Sequence, residues 1–256
     1  MSELLQATGI SKSFAGIQAL SKVDVSVGPH RRVGLIGPNG AGKTTLFNCL
    51  LGVVSPDEGE VRFKGQDLSG LPVNRRARAG IGRTFQRIEL FDETTVFEHL
   101  LIAERVRNGT GAFWKDILGM GRPQPAEIDL CREVLELLGL LGVAHEPIET
   151  LSLGQGRLVE VGRALMTNPD LLLLDEPSSG LGPEETEALA TTLRAVQAER
   201  GFAILLVEHD ISLVADFTEF SYVLDFGTLI ASGPTSDVLK DPAVRAAYLG
   251  TFEVES

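Results

Sequence analysis

A glycine-rich stretch that ends in a lysine and two threonines carries the clearest chemical signal in this 256-residue sequence. The stretch consists of Gly37, Pro38, Asn39, Gly40, Ala41, Gly42, Lys43, Thr44 and Thr45. It fits the pattern G-x-x-x-x-G-K-[ST], whose backbone N–H groups cradle phosphates and whose hydroxyl ligates Mg²⁺. Its glycines let the backbone approach an anion without an intervening Cβ. We therefore predict that Lys43 contacts the β- and γ-phosphates of a nucleotide and that Thr44 binds Mg²⁺.

A pair of carboxylates, Asp175 and Glu176, follows the apolar residues 171–174 directly. Such a run is typical of a fully buried parallel strand, and open α/β sheets bind ligands at the carboxyl ends of their strands. Asp175 is predicted on the Mg²⁺ side of the nucleotide, and Glu176 is placed to polarise an attacking water. The alternative is an ordinary polar end of a strand, which the upstream phosphate loop disfavours.

Two further residues leave alternatives open. His209 follows the apolar run 203–207 and could donate to a γ-phosphate, although a structural histidine is equally compatible with the local sequence. Phe14 could stack on a nucleotide base, since an aromatic face packs on a purine without hydrogen bonds. On local sequence alone, packing of Phe14 in the core is the favoured interpretation.

Alternating strand and helix patterns predict the elements that position these residues. Residues 33–36 resemble a buried strand before the phosphate loop, and residues 46–51 a helix that ends at Gly52. The basic residues within 70–80, Arg76 among them, indicate a solvated helix face. Residues 87–165 are interpreted as a mostly helical subdomain, inserted into an α/β core formed by residues 1–86 and 166–256.

Composition narrows the class of partner. The net charge is −12, with 23 Lys and Arg against 35 Asp and Glu, which argues against nucleic acid as the main partner. Cys49 and Cys131 are predicted to be reduced, buried thiols. Neither a signal-peptide pattern nor an apolar run of about 20 residues is evident. A soluble protein is expected, with any membrane role exerted through a partner.

Taken together, these residues resemble the ATP-binding cassette (ABC) ATPases over nearly the whole chain. Residues 151–155, Leu-Ser-Leu-Gly-Gln, look like the family signature L-S-G-G-Q, between the phosphate loop and the Asp-Glu-Pro that begins at Asp175. The resemblance implies a P-loop NTPase core with a mostly parallel sheet, an antiparallel β subdomain and an inserted helical subdomain. It also implies ATP hydrolysis with ATP and Mg²⁺ bound.

The resemblance assigns roles to individual residues. Ser152, Gly154 and Gln155 match residues that cap the γ-phosphate of an ATP held by the opposing subunit of a head-to-tail dimer. Gln86 matches the loop glutamine that senses Mg²⁺ and the membrane partner. His209 matches the switch histidine, and Phe14 matches the aromatic residue that stacks on adenine, so that stacking becomes the favoured interpretation of Phe14.

Two positions depart from the family pattern. Leu153 replaces the first glycine of the signature pair, as is common in amino-acid uptake members, and we expect activity to be retained. Gly182 stands where many members have an aspartate in the loop at the dimer seam. This glycine weakens any claim of communication between subunits through that side chain.

Several segments are similar to ATPases of branched-chain amino acid importers, among them residues 34–48, 208–210 and 248–250. Such systems imply membrane permease subunits and a second ATPase, identical or different, on the cytoplasmic face of the membrane. Related urea or amide importers, lipopolysaccharide exporters and non-transport cassettes are the alternatives. A chromosome or DNA-repair ATPase is disfavoured, because it needs a long heptad insertion before the signature.

Gln86 is expected where the core meets the helical subdomain, and the resemblance implies that a groove there receives a short helix from the permease. Ile88, Leu90, Phe91 and Phe97 are unusually apolar for a segment after a polar loop. Helix-in-groove recognition uses such anchors. Leu90 or Phe91 is predicted to line the groove, whereas Phe97 is assigned to the core. The alternative is that all four are core residues of the helical subdomain.

Overall fold

A computed structural model describes residues 3–84, 94–107 and 123–252 of the protein. The strands are β1 (Leu5–Phe14), β2 (Ile17–Val27), β3 (Arg32–Ile36), β4 (Glu58–Phe63), β5 (Gln66–Asp67), β6 (Ile81–Arg83), β7 (Leu171–Asp175), β8 (Ala203–Val207), β9 (Phe220–Asp225) and β10 (Thr228–Pro234). The helices are α1 (Lys43–Leu51), α2 (Val73–Ala79), α3 (Val96–Arg107), α4 (Pro125–Leu137), α5 (Leu153–Leu165), α6 (Pro183–Arg200), α7 (Ile211–Phe217), α8 (Thr235–Val238) and α9 (Pro242–Phe252).

The strands form two sheets. The larger has the order β10-β9-β3-β8-β7-β6 and is parallel except for the pairing of β10 with β9. The smaller is antiparallel and has the order β2-β1-β4-β5. The predicted fold class, a mostly parallel α/β core with an antiparallel β subdomain, is therefore confirmed.

The register of the central strands brings their carboxyl ends to one edge. Leu35 of β3 and Asp175 of β7 both lie opposite Val207 of β8. All five residues of β7 and of β8 are buried, as expected for strands covered on both faces. The residues that follow these strands must therefore emerge side by side.

The helices α3, α4 and α5 share an apolar core with one another and with the outer face of the large sheet. Phe97 packs against this core and is partly buried. A glycine permits the closest approach: a Cβ at Gly162 would lie 3.0 Å from the Cδ1 atom of Leu138. Within the described residues, no helix is long and apolar enough to cross a membrane.

The interpretation of Arg76 as part of a solvated helix face is wrong. Its side chain is 4% exposed and donates hydrogen bonds to the carbonyl oxygens of Cys49, Leu50 and Leu68 at 2.7–2.9 Å. The last carbonyls of a helix have no intrahelical donor, and Arg76 supplies one for the end of α1. Cys49 and Cys131 are buried free thiols, as predicted.

Candidate functional site

The phosphate loop connects β3 to α1, and α1 begins at Lys43. The Lys43 ammonium donates to the carbonyl oxygens of Gly37 at 2.6 Å and Pro38 at 3.0 Å. Gly37 has a φ of 151°, and a Cβ there would overlap the carbonyl oxygen of Leu224. The loop therefore curls around its own lysine at the positive end of a helix, a geometry suited to an anion.

Three carboxylates surround this lysine. Burial lowers the pKa of Lys43, and the negative charges of Glu176, Asp175 and Glu208 oppose that shift. Asp175 is 9% exposed, and burial, together with the charges of Glu176 and Glu208, raises its pKa to about 6. Among the described residues, Lys43 and Arg83 are the cations that act on this cluster, so its three carboxylates still outnumber the positive charges. A divalent cation that accompanies a polyphosphate would supply further positive charge.

Glu176 lies at the exit of β7 in a left-handed backbone conformation, with a φ of 45°. Its N–H donates to the carbonyl oxygen of Val207 at 2.9 Å, so the neighbouring strand holds the residue in this costly conformation. The Oε1 atom of Glu176 lies 3.7 Å from Nδ1 of His209, whose side chain is 54% exposed. The register thus brings Asp175 and Glu176 close to Lys43, and His209 close to Glu176, while the catalytic roles of these residues stay predictions.

The signature residues occupy the start of α5. Ser152 is the N-cap: its hydroxyl oxygen accepts from the Gln155 N–H at 3.2 Å, and Gln155 Oε1 accepts from the Ser152 N–H at 3.0 Å. The hydroxyl of Ser152 keeps its own proton for a further acceptor. Leu153 is 40% exposed and would lie 3.0 Å from a Cβ at Gly180, while Gly154 faces the carboxylate of Glu185. The signature therefore adjoins the loop that follows Glu176.

Phe14 ends β1 and is 47% exposed, with the Lys12 ammonium 5.5 Å from its ring centroid. This exposure excludes simple packing in the core and leaves a ring face for a ligand. Stacking on adenine stays a prediction. Gln86, together with Ile88, Leu90 and Phe91, lies outside the described residues.

Sequence reasoning missed a role for Glu208. Its carboxylate is 0% exposed and lies beside Lys43 and Asp175 in the same electrostatic cluster. A signal was present, because a carboxylate that directly follows the wholly apolar strand β8 repeats the pattern of Asp175 after β7.

Comparison with known proteins decides the family. A family model described as "ABC transporter" matches residues 20–179, more than half of the chain. The chain belongs to the ABC transporter ATPases. The cassette is therefore an ATP-hydrolysing enzyme, and a second family model, described as "Branched-chain amino acid ATP-binding cassette transporter", matches its residues 228–254.

Individual relatives agree with this placement. The high-affinity branched-chain amino acid transport ATP-binding protein LivG of Escherichia coli (strain K12) is 40% identical over 96% of the cassette and 98% of its own length. The corresponding protein BraF of Pseudomonas aeruginosa is 37% identical over 96% and 98%. A crystal structure of the ADP conformation of an ABC transporter cassette, 34% identical, superimposes with a TM-score of 0.86 over 98% of this chain and 100% of that one.

Replacing Phe14 by alanine is expected to weaken ATP and ADP binding equally, by roughly fivefold, because stacking on a ring contributes about 1 kcal/mol. The base is common to both nucleotides, so the phosphate count should not matter. Titration calorimetry with each nucleotide measures the change. Val53→Ala, at a position that is 50% exposed, is the control. A loss confined to ATP would contradict stacking on adenine.

Replacing Asp175 by asparagine is expected to stabilise the nucleotide-free cassette at about pH 8, by up to about 3 kcal/mol. The folded-state pKa of about 6 exceeds the ordinary value of 3.8. The folded protein therefore binds the Asp175 proton more tightly than the unfolded chain does. The free energy of unfolding of the wild type falls as the pH rises from about 4 through about 6. The asparagine side chain stays neutral at every pH. The stability difference between the variant and the wild type should therefore shrink as the pH is lowered through about 6 and on towards 4.

Urea unfolding at several pH values tests this expectation for Asp175. The exposed Asp129→Asn is the control, since surface substitutions change stability little. If Asp175→Asn destabilises the cassette equally at every pH, the buried charge is not the cause. Saturating Mg²⁺ and ATP should favour the wild type, because the variant lacks the carboxylate proposed as a metal ligand.

Proposed function

We propose that this cassette hydrolyses MgATP to energise uptake of branched-chain or related amino acids through membrane permease subunits. The clustering of Lys43, Asp175, Glu176 and His209 at one edge of the sheet carries the hydrolysis part of the proposal. The likeness to branched-chain amino acid transport ATP-binding proteins supports the transport part. Lys43 binds the β- and γ-phosphates, and Glu176 polarises the attacking water. His209 donates to the γ-phosphate, with Gln86 as the loop residue that contacts the metal side.

Mg²⁺ fits the oxygen donors of the site. Thr44 lies in the first turn of α1 with its side chain exposed, and Asp175 lies at the end of β7 beside Lys43. Hydroxyl and carboxylate oxygens suit a hard cation that keeps most of its contacts to phosphates and water. Thr44, Asp175 and Gln86 are the proposed metal-side residues, and the bound metal would neutralise charge on the transferred phosphoryl group.

A second cassette completes the site. Ser152 and Gly154 present the N-terminus of α5 beside the loop that follows Glu176, with Leu153 exposed between them. This arrangement supports a head-to-tail dimer, identical or mixed, in which Ser152, Gly154 and Gln155 cap the ATP of the opposing subunit. Phe14 stacks on the adenine of its own ATP.

An apolar groove of about 290 Å³ supports docking of a permease helix. It lies between the large sheet and the helices α3 and α5, which is the junction expected to receive the membrane partner. Helix-in-groove recognition needs such an apolar channel with a few polar groups. Its lining residues are Leu51, Val73, Arg76, Ala77, Ile81, Gly82, Arg83, His99, Ile102, Ala103, Val106, Glu160, Arg163, Ala164 and Thr167.

Val106 offers a test of the transport role, because it lines the groove and is 58% exposed. Val106→Asp should keep the melting temperature and the ATP affinity of the cassette but should abolish co-purification with the permease subunits. The control is Leu141→Asp, at a position that is 44% exposed and outside the groove. If Val106→Asp still co-purifies with the permease as the wild type does, the groove is not the docking site.

A further inference from the structure

Glu208 has an unusual environment for a carboxylate. It directly follows β8 and is 0% exposed. One oxygen, Oε1, accepts from the N–H of Ser178 at 3.0 Å and from its hydroxyl at 2.6 Å. The other, Oε2, accepts from the N–H groups of His209 at 3.0 Å and Asp210 at 3.4 Å. A buried charge is costly unless donors surround it, and here four donors do so.

The two oxygens of Glu208 accept hydrogen bonds from two different loops. Ser178 lies two residues after Glu176, in the loop that leaves β7. Glu208 itself is the first residue of the loop that leaves β8, and His209 and Asp210 follow it. Glu176 and His209 lie in these two loops, with their side chains 3.7 Å apart. The side chain of Glu208 links the loops through its hydrogen bonds to Ser178 and to the His209 N–H.

The position of Glu208 also has an electrostatic cost. Its charge acts on Lys43 and Asp175, in a cluster that already contains Glu176. A hydroxyl or an amide could bridge two loops without adding a third negative charge where a polyphosphate must bind. Only an ionised carboxylate accepts from all four donors at once, since it carries no proton to place against them.

We propose that Glu208 is a positioning residue for ATP hydrolysis, holding the Glu176 and His209 loops in fixed register at the γ-phosphate. This inference rests on the proposed function of the site. Glu208 acts through its two neighbours and does not itself touch the nucleotide. Misplacement of a reacting group by about 1 Å can cost roughly 100-fold in rate, so loosening this link should impair turnover and spare binding.

Glu208→Gln tests the proposal, because the amide keeps the shape of the side chain but places an NH₂ donor against the N–H donors of one loop. We expect kcat to fall by roughly 10- to 100-fold, with ATP affinity changed less than about twofold. Ser178→Ala removes one of the four hydrogen bonds and should give a smaller fall in kcat. The control is Glu104→Gln, a buried carboxylate on α3, 5% exposed and paired with Arg107, which should leave kcat unchanged.

A double-mutant cycle separates positioning from a merely structural role. In a His209→Ala background, Glu208→Gln should lower kcat by a smaller factor than in the wild type, because the backbone N–H at 209 remains but the imidazole that Glu208 is proposed to position is absent. If Glu208 has only a structural role, Glu208→Gln should lower kcat by the same factor in both backgrounds. It should then also lower the melting temperature and weaken ATP binding. Equal factors in the two backgrounds would overturn the proposal, as would wild-type turnover by Glu208→Gln.

The reference variant Glu176→Gln keeps this result separate from the proposed function. If wild-type turnover persists in Glu176→Gln, the catalytic assignment itself fails. If turnover is lost in Glu176→Gln yet normal in Glu208→Gln, only the role of Glu208 fails. Should Glu208→Gln not fold, Ser178→Ala in the wild-type and His209→Ala backgrounds carries the same comparison.

Discussion

Replacing Glu176 by glutamine is expected to leave ATP binding intact and to slow hydrolysis by roughly 10²- to 10⁴-fold. The substitution keeps an acceptor oxygen and the size of the side chain but removes the base that polarises water. The backbone of Glu176 is held by its hydrogen bond to Val207 at 2.9 Å, so the glutamine should occupy the same place. Its companion His209 should also remain 3.7 Å away.

Steady-state ATP turnover and equilibrium nucleotide binding, measured on the same preparation, test the expectation for Glu176. Glu199→Gln, at an exposed position near the end of α6, is the matched control and should turn over normally. A variant that hydrolyses ATP at the wild-type rate would remove Glu176 from the proposed role. A variant that no longer binds ATP would assign Glu176 to binding rather than to catalysis.

Replacing Lys43 by alanine should act before hydrolysis and weaken MgATP binding by at least roughly 30-fold, because truncating one partner of a buried charge contact costs about 2–5 kcal/mol. Lys43 is 6% exposed. Without it, the triphosphate would face the carboxylates of Asp175, Glu176 and Glu208 with one positive charge fewer to offset them. ATP turnover should therefore disappear together with binding.

Calorimetric titration of MgATP distinguishes the two variants, since Glu176→Gln should bind the nucleotide and Lys43→Ala should not. The control is Lys64→Ala, which removes an exposed lysine paired with Asp170 at 2.5 Å and should bind as the wild type does. If Lys43→Ala binds MgATP with wild-type affinity, the phosphate loop does not rely on this ammonium group. The loop assignment would then need another source of positive charge.

The sequence by itself determined the parts of this protein that local interactions specify. The strand–loop–helix unit around Lys43 follows from an apolar run, glycines that permit close approach and a helix that ends at Gly52. Strands β7 and β8 follow from wholly apolar runs. The carboxyl ends of parallel strands lie at one edge of the sheet, so the position of Asp175 near Lys43 was also predictable. The residue ranges of the helical subdomain stay a prediction.

Only the tertiary structure decided which side chains meet across loops and helices. Arg76 is buried because the end of α1, distant in sequence, needs hydrogen-bond donors. Phe14 is half exposed because β1 runs past the core before its last residue. The bond between Glu208 and Ser178 depends on the register of β7 with β8, which pairs residues more than 30 positions apart. Sequence periodicity reports burial along one element, whereas such contacts depend on how separate elements pack.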